Sequence, residues 1–209
     1  MSKNVLNEFN KKFYKILAKN LPFIPSNIYA CDIGCGWMPY ADAMMSVLDK
    51  KIKKLIAIDG DPESTYLRRW EKIKHTYNDK IEFKKKWIYG QNDLRSIADE
   101  FGIDKFGLVT LFAPGPNRNI LMNYFYNGVK LDGEYILGPI EHALKPNMKK
   151  DGIVIVYTTE EDVPADEVEK RLVKSEFEIL KNEEIYEFKN IFESVCIYNY
   201  KRIVIGRNR

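Results

Sequence analysis

The feature that most constrains this fold is an apolar segment, a glycine turn, a helical segment and a second apolar segment in close succession near the N-terminus. The first apolar segment covers residues 28–33, and Gly34-Cys35-Gly36 follows it directly. The second, residues 55–59, ends in the carboxylate of Asp59. Parallel strands need a helical crossover between them, so the pattern predicts a βαβ unit whose ligand edge lies at the carboxyl ends of the strands.

Strand and helix patterns alternate along the rest of the chain without an internal repeat, which is typical of a parallel sheet covered by helices on both faces. Helices are predicted over residues 5–20, 40–48, 61–73, 94–101 and 164–173. Further strands are predicted over residues 81–87, 106–112 and 153–157, with apolar runs at 177–180 and 195–205. Between these two runs, Glu183, Glu184, Glu187 and Lys189 indicate a solvated connection.

The residues around the glycine turn discriminate between ligands. Asp32 lies just before the turn, separated from Gly34 by Ile33 alone. A carboxylate there would repel the pyrophosphate that a dinucleotide domain binds at this helix N-terminus. The third glycine of the dinucleotide pattern is replaced by Pro39, which has no backbone N–H and does not allow the same close helix packing. A nicotinamide cofactor is therefore disfavoured, and a ligand with positive charge and no phosphate is favoured.

The same segment resembles motif I of the class I S-adenosylmethionine-dependent methyltransferases, in which an acidic residue precedes a Gly-x-Gly turn. The resemblance implies that Asp32, Gly34 and Gly36, with Cys35 between the two glycines, approach the methionine end of the cofactor S-adenosylmethionine. It also implies that Asp59 accepts hydrogen bonds from the ribose hydroxyls, as the corresponding acid does in dinucleotide folds.

The resemblance extends over about residues 27–158 and includes a Leu-Lys-Pro turn at residues 144–146, before the strand at 153–157. Two positions depart from the family pattern. Met38 stands where the family often has a third glycine, and Asn147 replaces a glycine after the Leu-Lys-Pro turn. The implied fold is Rossmann-like α/β, with a mostly parallel seven-stranded sheet, helices on both faces and a terminal antiparallel strand.

Adenine is expected beyond the second and third strands of such a sheet. Gly60 follows Asp59 directly, and Gln91 and Asn92 lie in the loop after the third strand, where the family often has a polar residue for the adenine amine. These three residues are therefore predicted cofactor contacts. Trp87 in the same loop is interpreted as core packing in preference to a stacking surface for the base.

The loop after the fourth strand is predicted to contact the methyl acceptor. Its sequence, Ala-Pro-Gly-Pro at residues 113–116, lacks the Asn/Asp-Pro-Pro-aromatic motif of many amino-group methyltransferases, the Pro-Cys nucleophile of cytosine-carbon enzymes and the aspartate of magnesium-dependent catechol-type enzymes. Pro114, Asn117, Arg118 and Tyr124 are the predicted substrate contacts. No catalytic residue and no metal site is predicted, because His75 and His142 are isolated in the sequence.

At 209 residues and 45% hydrophobic content, the chain is predicted to form one domain. Residues 1–26 are expected to be a helical extension, 27–158 the cofactor-binding core, and 159–209 a helix and the strands that close the sheet. Three cysteines without a paired pattern indicate a reducing compartment, and no signal peptide or membrane span is predicted, so a cytoplasmic protein is expected.

The predicted activity is methyl transfer from S-adenosylmethionine. A net charge of +3 does not indicate nucleic acid, so a small-molecule acceptor is slightly favoured, with RNA or protein as alternatives. Two other functions stay open. One is a methyltransferase-like subunit without catalytic activity that works through a partner, and the other is a NAD-dependent oxidoreductase. The pattern does not specify an oligomeric state.

Overall fold

A computed structural model of the chain describes residues 3–60, 64–78, 80–88, 91–112, 130–131, 134–135, 144–158, 165–185 and 202–209. Five α-helices have their bounds among them: α1 (Lys3–Asn20), α2 (Ala41–Leu48), α3 (Ser64–Tyr77), α4 (Gln91–Glu100) and α5 (Ala165–Lys174). A 3-10 helix covers Leu21–Phe23, and residues 144–147, predicted as a turn, are helical. The strands are β1 (Ile28–Ile33), β2 (Ile52–Asp59), β3 (Ile81–Lys85), β4 (Phe106–Phe112), β5 (Lys130–Leu131), β6 (Glu134–Tyr135), β7 (Met148–Thr158), β8 (Phe177–Glu184) and β9 (Arg202–Asn208).

Seven of these strands form one sheet in the order β3-β2-β1-β4-β7-β9-β8. The pairs β1–β2, β1–β4, β2–β3 and β4–β7 are parallel, whereas β9 is antiparallel to both β7 and β8. The predicted fold class is confirmed: the sheet is Rossmann-like and mostly parallel, with one antiparallel strand from the end of the chain. An antiparallel pair of strands with two residues each, β5 and β6, lies outside this sheet and is not predicted by the sequence pattern.

Helices cover both faces of the sheet. On one face, apolar residues of α1, α2 and α3 pack into a cluster with the strands; on the other, residues of α4 and α5 do the same. The central strand β4 is buried along its whole length, as a strand with both faces covered must be. Among the described residues, no helix has the length and apolar run needed to span a membrane.

The first helix is part of the main core. Phe9, Phe13, Ile16 and Leu17 are all at most 3% exposed and belong to the same cluster as the strands. Asn10 adds a polar link, because its side chain accepts a hydrogen bond from the Ala43 N–H (3.1 Å) near the start of α2. Residues 3–20 therefore pack as a layer of the main core, because the apolar stripe of α1 covers one face of the sheet.

Several strands are longer than predicted, including the internal strand β7, which begins at Met148 and not at residue 153, and the edge strand β8. Glu183 and Glu184 belong to the edge strand β8, which corrects their assignment to a solvated connection. One side of an edge strand faces solvent, so charged residues fit there, and Glu183 forms ion pairs with Lys19 (3.1 Å) and Lys181 (2.8 Å). Glu187 and Lys189 lie outside the described residues.

Candidate functional site

The glycine turn at the carboxyl end of β1 has the backbone geometry that its sequence suggests. Gly34 and Gly36 have φ of 74° and 52°, in the left-handed region where glycine has no steric penalty. Met38 also has a positive φ, 49°, and its side chain is fully buried. The position of the family's third glycine thus keeps a conformation typical of glycine, stabilised by a methionine side chain that packs in the core.

The N–H groups of this turn donate to β2. The Gly34 and Cys35 N–H groups both donate to the Ile58 carbonyl, at 2.8 and 3.0 Å. The Gly36 N–H donates to Oδ2 of Asp59 at 2.9 Å. Because these three donors have protein acceptors, they do not form the cradle of N–H groups that a pyrophosphate requires. The geometry agrees with the sequence-based argument against a dinucleotide, and it joins the turn directly to the acid at the end of β2.

Side chains of α3 bind the carbonyls of the same turn. Trp70 Nε1 donates to the Gly36 carbonyl at 2.7 Å, and Arg69 Nε donates to the Trp37 carbonyl at 2.9 Å. The Arg69 guanidinium also lies 5.0 Å from the centre of the Trp37 ring, within the range of a cation–π contact. The turn is therefore held from both sides, by β2 through its N–H groups and by α3 through its carbonyls.

Asp32 is completely buried at the end of β1. Tyr40 Oη donates to its Oδ2 at 2.8 Å, and Thr110 Oγ1 donates to its Oδ1 at 2.6 Å. Burial raises the pKa of Asp32 from 3.8 to about 7; the hydrogen bonds from Thr110 and Tyr40 oppose that shift, and the nearby charge of Asp59 adds to it. Direct contact of Asp32 with a ligand stays a prediction, and the structure shows this carboxyl bridging two elements.

Tyr40 and Thr110 are the site residues that sequence reasoning missed. Thr110 lies opposite Asp32 in the β1–β4 register, so its role becomes visible only when β4 is known to neighbour β1. The Tyr40 ring packs 4.8 Å from Phe13 and 4.7 Å from Phe112, centre to centre. An aromatic cluster thus supports the hydroxyl that holds Asp32. The available signal is the hydroxyl of an aromatic residue at the first position of the helix predicted over residues 40–48.

At the end of β2, where adenine is predicted, the Trp87 ring packs over Gly60 and leaves no room for a β carbon at residue 60. Gln91 and Asn92 are exposed at the start of α4. The Gln91 carbonyl accepts a hydrogen bond from Asn147 Nδ2 (2.9 Å), and Asn147 precedes the amino end of β7. The structure therefore brings Asp59, Gly60 and Trp87 together, whereas Gln91 lies with residues of the opposite sheet edge. The assignment of Gln91 and Asn92 to adenine stays a prediction.

Other predicted residues have simpler outcomes. Cys35 is buried in the core cluster, with its N–H bound to β2. His75 is exposed on α3. Within the described parts of the chain, no group of three or more His, Cys, Asp or Glu side chains could hold a metal ion. Pro114, Asn117, Arg118, Tyr124 and His142 lie outside the described residues.

Comparison with known proteins gives a likeness of structure only. No protein-family model and no curated protein matches the chain. A precorrin-6y C5,15-methyltransferase from Geobacter metallireducens is 12% identical, with a TM-score of 0.54 over 94% of this chain and 87% of its own. The M1A22 tRNA methyltransferase TrmK from B. subtilis is 14% identical, with a TM-score of 0.52 over 92% of this chain and 65% of its own.

A third solved structure, TrmK from M. capricolum in complex with S-adenosyl-homocysteine, is 11% identical. Its TM-score is 0.56 over 93% of this chain and 68% of its own. At such identities the likeness establishes the fold, which is that of the Rossmann-like methyltransferases.

Proposed function

We propose that the protein is an S-adenosylmethionine-dependent methyltransferase. The observation that carries the proposal is the 2.9 Å hydrogen bond from the Gly36 N–H to Asp59, which joins the glycine turn to the acid at the end of β2. The sheet order and the methyltransferase neighbours, one with the cofactor product S-adenosyl-homocysteine bound, support the same assignment.

The residues fit this cofactor in chemical type. A carboxylate offers about four lone-pair positions, so Asp59 can accept the Gly36 N–H and still accept two ribose hydroxyls. The N–H groups that a phosphate would need are already bonded to Ile58 and Asp59, which suits a cofactor without phosphate. Gly60 and Trp87 would border the base, and the turn from Gly34 to Gly36 would border the amino-acid end.

When bound, the cofactor supplies a methyl group that is already activated on a sulfonium, so the protein's task is mainly to position the acceptor and exclude water. In this proposal α3 and β2 hold the turn rigid, and Tyr40 and Thr110 hold Asp32. A base is needed only if the acceptor loses a proton. The proposal is therefore compatible with the described residues of the site, which contain no evident acid–base pair.

Asp59→Ala tests the cofactor assignment by calorimetry with S-adenosyl-homocysteine. Loss of hydrogen bonds to a charged acceptor costs about 1.5 to 3 kcal/mol, so affinity should fall at least about tenfold. Asp166→Ala removes an exposed carboxylate on α5 and serves as the matched control, with affinity unchanged. A thermal melt checks that both variants fold. The assignment fails if wild type does not bind the ligand, or if the two folded variants bind it equally.

For the acceptor, we propose that residues 114–126 shape its pocket, because they follow the carboxyl end of β4, where open α/β sheets bind ligands. Arg118→Ala and Tyr124→Ala should leave S-adenosyl-homocysteine affinity within a few-fold of wild type. Turnover should fall once a screen of small molecules, followed by RNA, identifies the acceptor. Loss of cofactor binding in either folded variant would contradict this division between the two pockets.

A further inference from the structure

A groove of about 630 Å³ opens at the amino ends of the parallel strands, whereas the glycine turn lies at their carboxyl ends. Lys105, in its wall, directly precedes β4, and Met148, also in its wall, begins β7. Lys174 ends α5, and Asn208 ends β9, which runs antiparallel to β7. β4 has seven residues, so the groove lies about 20 Å from the cofactor edge at a rise of about 3.3 Å per residue. It is a separate place on the molecule.

The charge of this groove is strongly positive. Its walls carry five cationic side chains and one carboxylate, from Lys105, Lys145, Lys150, Lys174, Arg209 and Glu176. The carboxylate forms an ion pair with Lys145. Arg209 Nε lies 3.8 Å from Oε2 of Glu178, a weak pair near the rim. Lys105, Lys150 and Lys174 have no ion-pair partner among the described residues. Three cations therefore share one concave surface without compensation, although the protein as a whole has a net charge of only +3.

Two buried polar atoms in the same walls also lack a hydrogen-bond partner among the described residues. They are Ser175 Oγ and Asn208 Oδ1. The Asn208 amide is oriented by its Nδ2, which donates to the Met148 and Lys149 carbonyls at 3.3 and 3.0 Å, so Oδ1 is the atom left over. Asn208 is only 4% exposed. Buried polar atoms are nearly always satisfied, so these two unpaired atoms show that the wall beneath the lysines is polar and not part of the apolar core.

We propose that this groove binds the phosphate groups of a ligand. Its volume falls within the range of small-molecule sites. Several uncompensated lysines on one concave wall match a ligand with several negative charges better than a single carboxylate. The phosphates come either from the backbone of an RNA strand or from a free phosphorylated molecule. The proposal does not depend on the cofactor at the other edge.

The test compares two triple variants of the full chain. Lys105→Ala/Lys150→Ala/Lys174→Ala removes the uncompensated groove cations. Lys11→Ala/Lys15→Ala/Lys72→Ala removes the same charge from exposed positions on α1 and α3. Binding of a short fluorescein-labelled single-stranded RNA is measured by anisotropy, and binding of inorganic tripolyphosphate by calorimetry. If the groove variant is unstable by circular dichroism, the exposed single change Lys150→Gln replaces it.

We expect the groove variant to lose at least about tenfold in affinity at about 50 mM salt, and the control to stay within about threefold of wild type. If RNA is the ligand, the slope of log affinity against log salt should become shallower by about 2, at about 0.7 per phosphate contact on a single strand. RNA binding without tripolyphosphate binding assigns the phosphates to a strand, and the reverse assigns them to a free molecule.

Two results would overturn the proposal: wild type binds neither probe at about 50 mM salt, or the groove variant and its control weaken equally. Calorimetry with S-adenosyl-homocysteine separates this outcome from the proposed function, because the groove variant should keep wild-type affinity for that ligand. Failure of the wild type to bind S-adenosyl-homocysteine would sink the methyltransferase assignment and leave the groove result intact.

Discussion

The carboxyl ends and the amino ends of the parallel strands differ in how their polar groups are satisfied. At the glycine turn, N–H groups and carbonyls of the backbone bond to β2 and α3, and the buried Asp32 has a partner on each oxygen. At the amino ends of β4 and β7, three lysines, a serine hydroxyl and an asparagine oxygen lack partners among the described residues. The carboxyl ends of the strands are organised by the protein itself, whereas the amino ends carry positive charge that a ligand can compensate.

The first test asks whether packing in the core supports the residues around the glycine turn. Phe13 is fully buried and packs 4.8 Å from both Tyr40 and Phe112, centre to centre. Phe13→Ala should lower the free energy of unfolding by about 3 to 5 kcal/mol, the cost of a large cavity in a core. Its neighbour Tyr14 is 46% exposed, and Tyr14→Ala should cost less than about 0.5 kcal/mol. Urea denaturation measures both, and equal small losses would show that α1 is a dispensable extension.

The second test concerns the burial of Asp32. With its pKa raised from 3.8 to about 7, the folded protein keeps a proton that the unfolded chain releases within this range. As pH rises through that window, this carboxyl therefore lowers the free energy of unfolding by about 4 kcal/mol in total. Above the window, its effect does not change further with pH. Asp32→Asn removes the effect, so the variant should gain stability relative to wild type between about pH 4 and 7. A difference that stays constant across urea melts in this range would contradict the burial.

The third test sharpens the role of α3 and uses adjacent arginines. Arg69 bonds to the Trp37 and Met38 carbonyls at 2.9 and 3.4 Å, whereas Arg68 is exposed. Arg69→Ala should lower the free energy of unfolding by about 1.5 to 3 kcal/mol, the range for hydrogen bonds to a charged group. Arg68→Ala should stay within about 0.5 kcal/mol of wild type. Chemical denaturation decides, and similar losses would mean that the turn does not depend on α3.

The smallest expected effect is the salt dependence of cofactor affinity, which should differ from that of phosphate binding in the groove. S-adenosyl-homocysteine carries no phosphate, so its affinity should change by less than about twofold between about 50 and 200 mM salt. Phosphate binding in the groove should weaken many-fold over the same range. Calorimetry at the two salt concentrations measures both ligands. Equal salt dependence would show that the two edges do not differ in the way their ligands are held.

The sequence by itself determined the fold class. The Gly-x-Gly turn between apolar strands and the alternating helix and strand patterns predict a parallel sheet covered by helices. The resemblance to class I methyltransferases implies its seven strands and antiparallel terminal strand, and the structure has both. These signals are local, because hydrophobic period and turn chemistry act within windows of a few residues. Asp59 and the two glycines were identified for the same reason, and their roles toward a cofactor stay predictions.

The tertiary structure alone decided which distant residues meet. Thr110 and Tyr40 become partners of Asp32 only through the β1–β4 register and the placement of α2, and Arg69 reaches the turn from α3. The groove likewise joins lysines from before β4, from β7 and from the end of α5. A local sequence pattern does not predict these contacts, because they depend on the strand order and on how the helices pack. Both are set by burial of apolar residues over the whole domain.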